Sequence, residues 1–341
     1  MTLQSFSLPS ATERLTVSYD GIRRAAEIIC HGGVVAFGTE TVYGLGALST
    51  SRKAVARIFD IKGRPSFNPL INHFATPDRA FAEVTLDIPL REQALALAER
   101  FWPGPLTLVL PRHEGSRICD TASAALPSLA LRVPQGRAIQ EMLRLIDAPV
   151  AAPSANRSGL ISPSTASHVL SGLDGKIDAI LDTGPSAVGV ESTVVDLSGA
   201  RPLLLRPGGI TREALEEICG PVDTQTSDNH QPRSPGQLSS HYAPHLPLRL
   251  NADHIKASEA LLAFGHIPGA LRHSPLIWNL SENEDLAEAA ARLFAGLHFL
   301  DYEGKRRNLS GIAAMPLPSH GMGLALLDRL RRAAAPRPHQ N

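Results

Sequence analysis

The sequence has few cysteines and no surplus of charge. Its three cysteines, Cys30, Cys119 and Cys219, lie far apart with no CxxC spacing. That argues against a disulfide framework or a cysteine-built zinc site and fits a reducing compartment. Lys plus Arg and Asp plus Glu balance at 33 each. The basic excess of a nucleic-acid-backbone binder is missing, and no stable nucleic-acid complex is expected. No apolar run approaches the ~18 residues of a membrane span, and no basic stretch precedes an apolar one as in a signal peptide. A cytoplasmic location without a membrane partner is expected. GxxxxGK[ST] and HExxH are absent, and the 13 histidines are scattered, six of them between His230 and His273. No protein-built metal cage is expected. Gly44-Leu45-Gly46 and Gly321-Met322-Gly323 each lack the third glycine of a dinucleotide fingerprint. The second pair precedes a helix and reads as a phosphate cradle or, more simply, as a turn.

The most informative stretch runs from Gly33 to His73. Apolar Val34–Phe37 breaks into Thr39-Glu40-Thr41; helical spacing follows at Ala54, Val55, Ile58, Phe59 and Ile61, then Lys62-Gly63-Arg64-Pro65, and a second apolar run reaches His73. This is strand, loop, helix, loop, strand, with hydroxyls at one strand end and cations at the helix end. Loops at strand ends are where substrates are usually held.

Residues 1–18 read as an irregular tail and 19–222 as a mixed α/β domain. Asp20 is expected to cap a helix that ends at Gly32-Gly33. Strands are expected at 106–110, 129–133, 179–181, 193–197 and 203–205, and helices near 76–84, 89–102, 135–146, 162–170 and 211–219. Residues 223–245 are rich in Pro, Ser, Gln and His and read as a linker that can also serve as a lid. A small α/β domain, 246–334, has strands near 248–250, 260–264 and 312–315 and helices at 285–302 and 324–334, followed by a tail, 335–341.

Several polar groups have two readings. Lys62 and Arg64 suit a helix C-terminus, with Gly63 as its cap, but with Thr39, Thr41, Asn68 and His73 nearby they also suit a phosphate or carboxylate. Ser154-Ala155-Asn156 is either a turn into a helix or a phosphate-facing loop. Arg132, inside the apolar strand 129–133, must face solvent, a partner or a ligand carboxylate.

Taken together, GTETVYGLG (38–46), KGRPSFNPL (62–70) with His73, LALRVP (129–134), APSANRSG (152–159) with SPS (162–164), VESTVVD (190–196), LLRPGGI (204–210) and SPGQLSSHYAP (234–244) resemble the YrdC-type threonylcarbamoyl-AMP synthase family in its long two-domain form. Gly38 stands where the family usually has proline, Pro127-Ser128 replaces Asp-Thr, and Gln237–Ser240 departs from the commoner Met-Lys-Tyr form. The resemblance implies a YrdC-like twisted open sheet with flanking helices and a small Rossmann-like C-terminal domain. It implies synthesis of threonylcarbamoyl-adenylate from L-threonine, bicarbonate and ATP, with Mg²⁺ accompanying ATP. The product feeds modification of tRNA adenosine 37 through a downstream transferase complex. It assigns Arg64, Asn68, Ser128, Ser154, Ser162 and Arg206 to ATP, with Lys62 and Asn156 completing the KxR/SxN set and Ser234 and Tyr242 joining from the linker; Lys62 and Arg64 are the catalytic candidates. Thr41, His73, Arg132, Ala152 and Ser192 are assigned to threonine. The alternatives are an enzyme forming carbamoyl-adenylate from carbamoyl phosphate and a non-catalytic RNA-binding module.

Overall fold

A computed structural model describes residues 11–224 and 241–336. The opening helix, Tyr19–Cys30, buries Ile22, Ala25, Ala26 and Ile29 along one face. Its cap is Ser18, not Asp20: the Ser18 hydroxyl accepts from the Gly21 N–H at 3.1 Å, and Asp20 sits in the first turn, where a carboxylate suits the helix dipole. Before it, Glu13–Thr16 is a strand paired in parallel with Ala179–Asp182, where the sequence reads as a tail. Only Leu15 of that strand is buried, so no periodicity marks it. Tyr43–Leu48 is a further strand that the sequence reading lacks. It returns antiparallel along Val35–Gly38 through the Thr39–Val42 turn, and its two glycines hide its strand character. Gly46 is required there, since a Cβ would fall 2.4 Å from the Phe37 ring.

Among the described residues one mixed sheet has eleven strands, in the order 13–16, 179–182, 35–38, 43–48, 150–151, 71–73, 128–132, 106–111, 193–196, 203–206 and 223–224. His73 lies opposite Arg132 in parallel register, and Ala151 opposite both Asn72 and Ala47. The ends of these central strands therefore deliver their polar loops to one place. The main core lies between the sheet and helices such as Arg52–Lys62 and Arg91–Phe101. The helix Arg52–Lys62 ends as its sequence predicts, on Gly63 in the left-handed region (φ 61°).

The C-terminal part is a parallel sheet of Leu248–Arg249, Gly311–Ala314, Glu259–Ala263 and Ile277–Asn279, in that spatial order, with helices Leu286–Arg306 and Gly323–Ala334. It packs on the first domain through a continuous apolar cluster. Val42, Ile161 and Val190 meet Phe294, Leu293 and Leu297 around Tyr242. The long helix comes so close that a Cβ on Gly189 would sit 2.4 Å from the Ala290 carbonyl oxygen.

At this interface His168 stacks on His298, with centroids 4.0 Å apart, and the His298 Nε2 donates to the Ser162 carbonyl at 3.2 Å. Burial first, and the neighbouring ring second, push His168 down to about 3; burial pushes His298 down to about 4. Both are neutral when folded and take up protons below about pH 6.5 when unfolded. The stability they contribute is therefore present above pH 6.5 and is lost as pH falls from there through about 4 to about 3. With allowance for the partial exposure of His168, the pair should cost about 2 kcal/mol between pH 7 and pH 5. Thermal unfolding at the two pH values checks this: His168→Leu with His298→Leu should flatten the dependence, and an equally steep variant would contradict it.

Candidate active site

Nine of the residues expected from the sequence line one pocket: Thr41, Arg64, His73, Arg132, Ala152, Ser154, Ser192, Arg206 and Tyr242. Thr39, Glu191 and His241 join them.

The KxR and SxN segments are mechanically one unit. Lys62, 3% exposed, donates from its Nζ to the carbonyls of Ser154 and Asn156, both at 2.6 Å. The Leu45 and Ala155 N–H groups, donating to the Pro153 and Tyr43 carbonyls, strap the same loop to strand Tyr43–Leu48. Arg64 is anchored by the carbonyls of Asn68 and Pro69. Arg206 reaches the Ser192 carbonyl through Nε and Nη2, and the Ser192 hydroxyl through Nη2. Burial first, then mutual repulsion, drives the cations down. Arg64 falls to about 9 through burial and Arg206, and Lys62 lies well below the usual lysine range through burial and Arg64. Such crowding is relieved by a polyanion.

At the other end stands Arg132. Its Nε donates to the Gly104 carbonyl at 3.2 Å, and its Nη2 lies 2.7 Å from Glu40 Oε1. That contact is off the hydrogen-bonding line: Nη2 and both Glu40 oxygens are buried without a hydrogen-bond partner. The guanidinium is held in place yet under-used. Beside it, His73 is pushed down to about 3 by burial and by Arg132, so it is neutral, and its Nδ1 is unpartnered. Thr41 is fully buried, its hydroxyl 2.9 Å from that of Thr39. Ser192 shares a hydrogen bond with Thr107 at 2.8 Å. The Ala152 N–H is taken by the Ile71 carbonyl.

Of the other expected residues, Ser162 lies one step behind the pocket, donating to Glu191 at 2.6 Å. Asn68 and Asn156 are buried with unpartnered amide oxygens. Ser128 begins the strand that ends on Arg132. It lies on the same face but about 13 Å away along the strand. An apolar strip of Ile71, Val109, Ala130, Val194 and Leu205 lies on the sheet between the two ends. Ser234 lies outside the described residues. Tyr242 is fully buried with its hydroxyl unpartnered, edge-on to His241 and 5.4 Å from Phe294. The pocket, which His241 and Tyr242 help to line, holds ≈ 40 Å³ of free space.

Glu40 and His241 were not singled out in the sequence, and the pairing of Glu191 with a distant arginine left no local trace. Gly321-Met322-Gly323 is a turn: the Gly321 N–H faces the Glu213 carboxylate at 3.5 Å, an anion that disfavours a phosphate. Among the described residues no cluster of three or more His, Cys, Asp or Glu could hold a metal, and no helix is long and apolar enough to cross a membrane.

The Sua5/YciO/YrdC family model, described as telomere recombination, matches residues 27–208, and a model described as the C-terminal domain of threonylcarbamoyl-AMP synthase matches 210–335. The chain is 39% identical to a threonylcarbamoyl-AMP synthase of Bacillus subtilis, with 96% of each chain covered. It is 38% identical to the one of Pyrococcus abyssi, over 92% of this chain and 94% of that one. The crystal structure of P. abyssi Sua5 complexed with L-threonine superposes with a TM-score of 0.85 at 34% identity, covering 95% of this chain and 97% of that one. Matched in both domains and over nearly its whole length, the chain belongs to the Sua5 family of threonylcarbamoyl-AMP synthases.

Proposed function

We propose that this chain condenses L-threonine, bicarbonate and ATP into threonylcarbamoyl-adenylate and releases pyrophosphate, the first step in modifying tRNA adenosine 37. The observation that carries this is the meeting of Arg132, whose Nη2 is ion-paired with Glu40 but makes no hydrogen bond, and the Arg64–Arg206 pair in one buried pocket. Two separate cationic ends suit two anions, a carboxylate and a polyphosphate.

Arg132 takes the threonine carboxylate, and Thr41, His73 and Ser192 take its hydroxyl and amine. Arg64 and Arg206 face the triphosphate with Ser154, Ser162 supports them from behind through Glu191, and Lys62 holds the SxN loop in place. Adenosine lies along the apolar strip toward Ser128. The neutral amine attacks CO₂ derived from bicarbonate and loses a proton, forming a carbamate. A carbamate oxygen then attacks the α-phosphorus, the bond to the β-phosphate oxygen breaks, and pyrophosphate leaves. The chemistry needs alignment and exclusion of water more than a dedicated base. Both oxygens of Glu191, the carboxylate lining the pocket, are engaged by Ser162 and Arg329. Mg²⁺ would therefore arrive on the triphosphate and neutralise charge there, held largely by phosphate and water.

A nucleotide site normally needs at least ~300 Å³, far more than the free space present, so His241 and Tyr242 must withdraw for ATP to enter. These two residues thus act as a lid. Three scattered free cysteines fit a cytoplasmic enzyme, whose labile product passes to a tRNA-modifying transferase complex. Incubation with ¹³C-bicarbonate, threonine and Mg-ATP should give an adenylate one mass unit heavier than the unlabelled product, as read by mass spectrometry. An adenylate without the label would reject the proposal.

A further inference from the structure

The largest fully buried side chain among the described residues is a cation from the C-terminal domain. Arg329, on the helix Gly323–Ala334, is 0% exposed. It crosses into the first domain and touches two of the loops that build the pocket. Its Nε donates to Glu191 Oε2 at 3.0 Å, and its Nη1 donates to the Pro207 carbonyl and to Asp328. The guanidinium also lies 5.8 Å from the Tyr242 ring centroid. Glu191 and Pro207 directly adjoin Ser192 and Arg206 in the sequence.

Glu191 needs this partner. It is 6% exposed, lines the pocket, and accepts from Ser162 through Oε1. Burial alone would raise its carboxyl; Arg329, then Arg206, the Ser162 hydroxyl and His241 together hold it below the usual range, as an anion. An uncompensated buried carboxylate at this place would repel the triphosphate that Arg64 and Arg206 are there to attract.

We propose that Arg329 is a positioning residue through which the C-terminal domain completes the nucleotide site: it cancels the Glu191 charge and locks the Glu191–Ser192 and Arg206–Pro207 loops in their nucleotide-binding geometry. This rests on the pocket being the ATP site. Threonine is held chiefly around Arg132, His73 and Thr41; only Ser192 among its contacts sits on a loop that Arg329 touches, so threonine feels the effect less than ATP does.

The test measures binding of Mg-ATP and of L-threonine separately by calorimetry, so that it does not depend on product formation. Arg329→Met is expected to weaken Mg-ATP binding at least tenfold and to weaken threonine binding, through Ser192, by about threefold or less. Adding Glu191→Gln, which removes the charge but keeps an acceptor for Ser162, should restore ATP affinity to within threefold of wild type. Arg329→Lys, which keeps the charge without the fork, should fall between. ATP binding unchanged in Arg329→Met, a double variant no better than the single, or equal losses for both ligands would overturn the proposal. Should Arg329→Met not fold, the double variant is expected to fold and bind ATP, and failure of both would make Arg329 purely structural and the proposal wrong. Wild-type protein that binds no ATP at all would reject the nucleotide site itself, a separate outcome.

Discussion

Replacing Arg132 by methionine is expected to raise KM for threonine by 10²–10³ while leaving KM for ATP within about threefold. The guanidinium presents a rigid fork to a planar carboxylate, and two charge-assisted hydrogen bonds in a buried site are worth about 3–4 kcal/mol, which converts to that range. Lysine at this position keeps the charge but loses the fork, so Arg132→Lys should recover only part of the loss. The variant also leaves Glu40, with a side chain 7% exposed, as an unpaired buried anion. A lower melting temperature is therefore expected, and adding Glu40→Gln should restore it without restoring threonine binding. Equal rises in KM for both substrates would show that Arg132 only holds the fold.

Lys62→Met should reduce kcat/KM for ATP by about 10³. Lys62 is a brace before it is a ligand: two of its three N–H donors are spent on the Ser154 and Asn156 carbonyls. Removing it leaves two buried carbonyls without partners, at about 1–3 kcal/mol each. The SxN loop is then free to leave the triphosphate, and a cation is lost from the site at the same time. Arg64→Met, by contrast, removes a group that lines the pocket but leaves that loop strapped. Its loss should appear chiefly in ATP binding, with less effect on the melting temperature. Steady-state kinetics and thermal melts of the two variants side by side distinguish brace from ligand; an equal loss of stability in both would contradict the distinction.

The parts of this architecture that were legible in the sequence share a cause. Helices with a buried face, such as Arg52–Lys62 and Leu286–Arg306, carry their own periodicity and caps. Polar residues interrupting apolar strands, such as Arg132 after Leu129–Leu131, had to be explained by a ligand or a partner. The reading failed where the information is not local. Glu13–Thr16 is a strand only because Ala179–Asp182 lies beside it. Tyr43–Leu48 owes its glycines to the Phe37 ring on the neighbouring strand. Lys62 was visible as a cation near a site, but its attachment to carbonyls 92 and 94 residues away was not. Arg329 is the extreme case. It stands in a helix with two other arginines nearby, and only the docking of the two domains separates it from them, 138 residues from its partner Glu191.

Pyrophosphate release from Mg-ATP, with threonine and bicarbonate omitted in turn, tests most directly whether one pocket joins a threonine end to a triphosphate end. Release is expected only when both are present. It should disappear in Arg132→Met at threonine concentrations that saturate the wild type. Release that continues without threonine, or that requires carbamoyl phosphate in its place, would contradict the assignment of Arg132 and the reaction built on it.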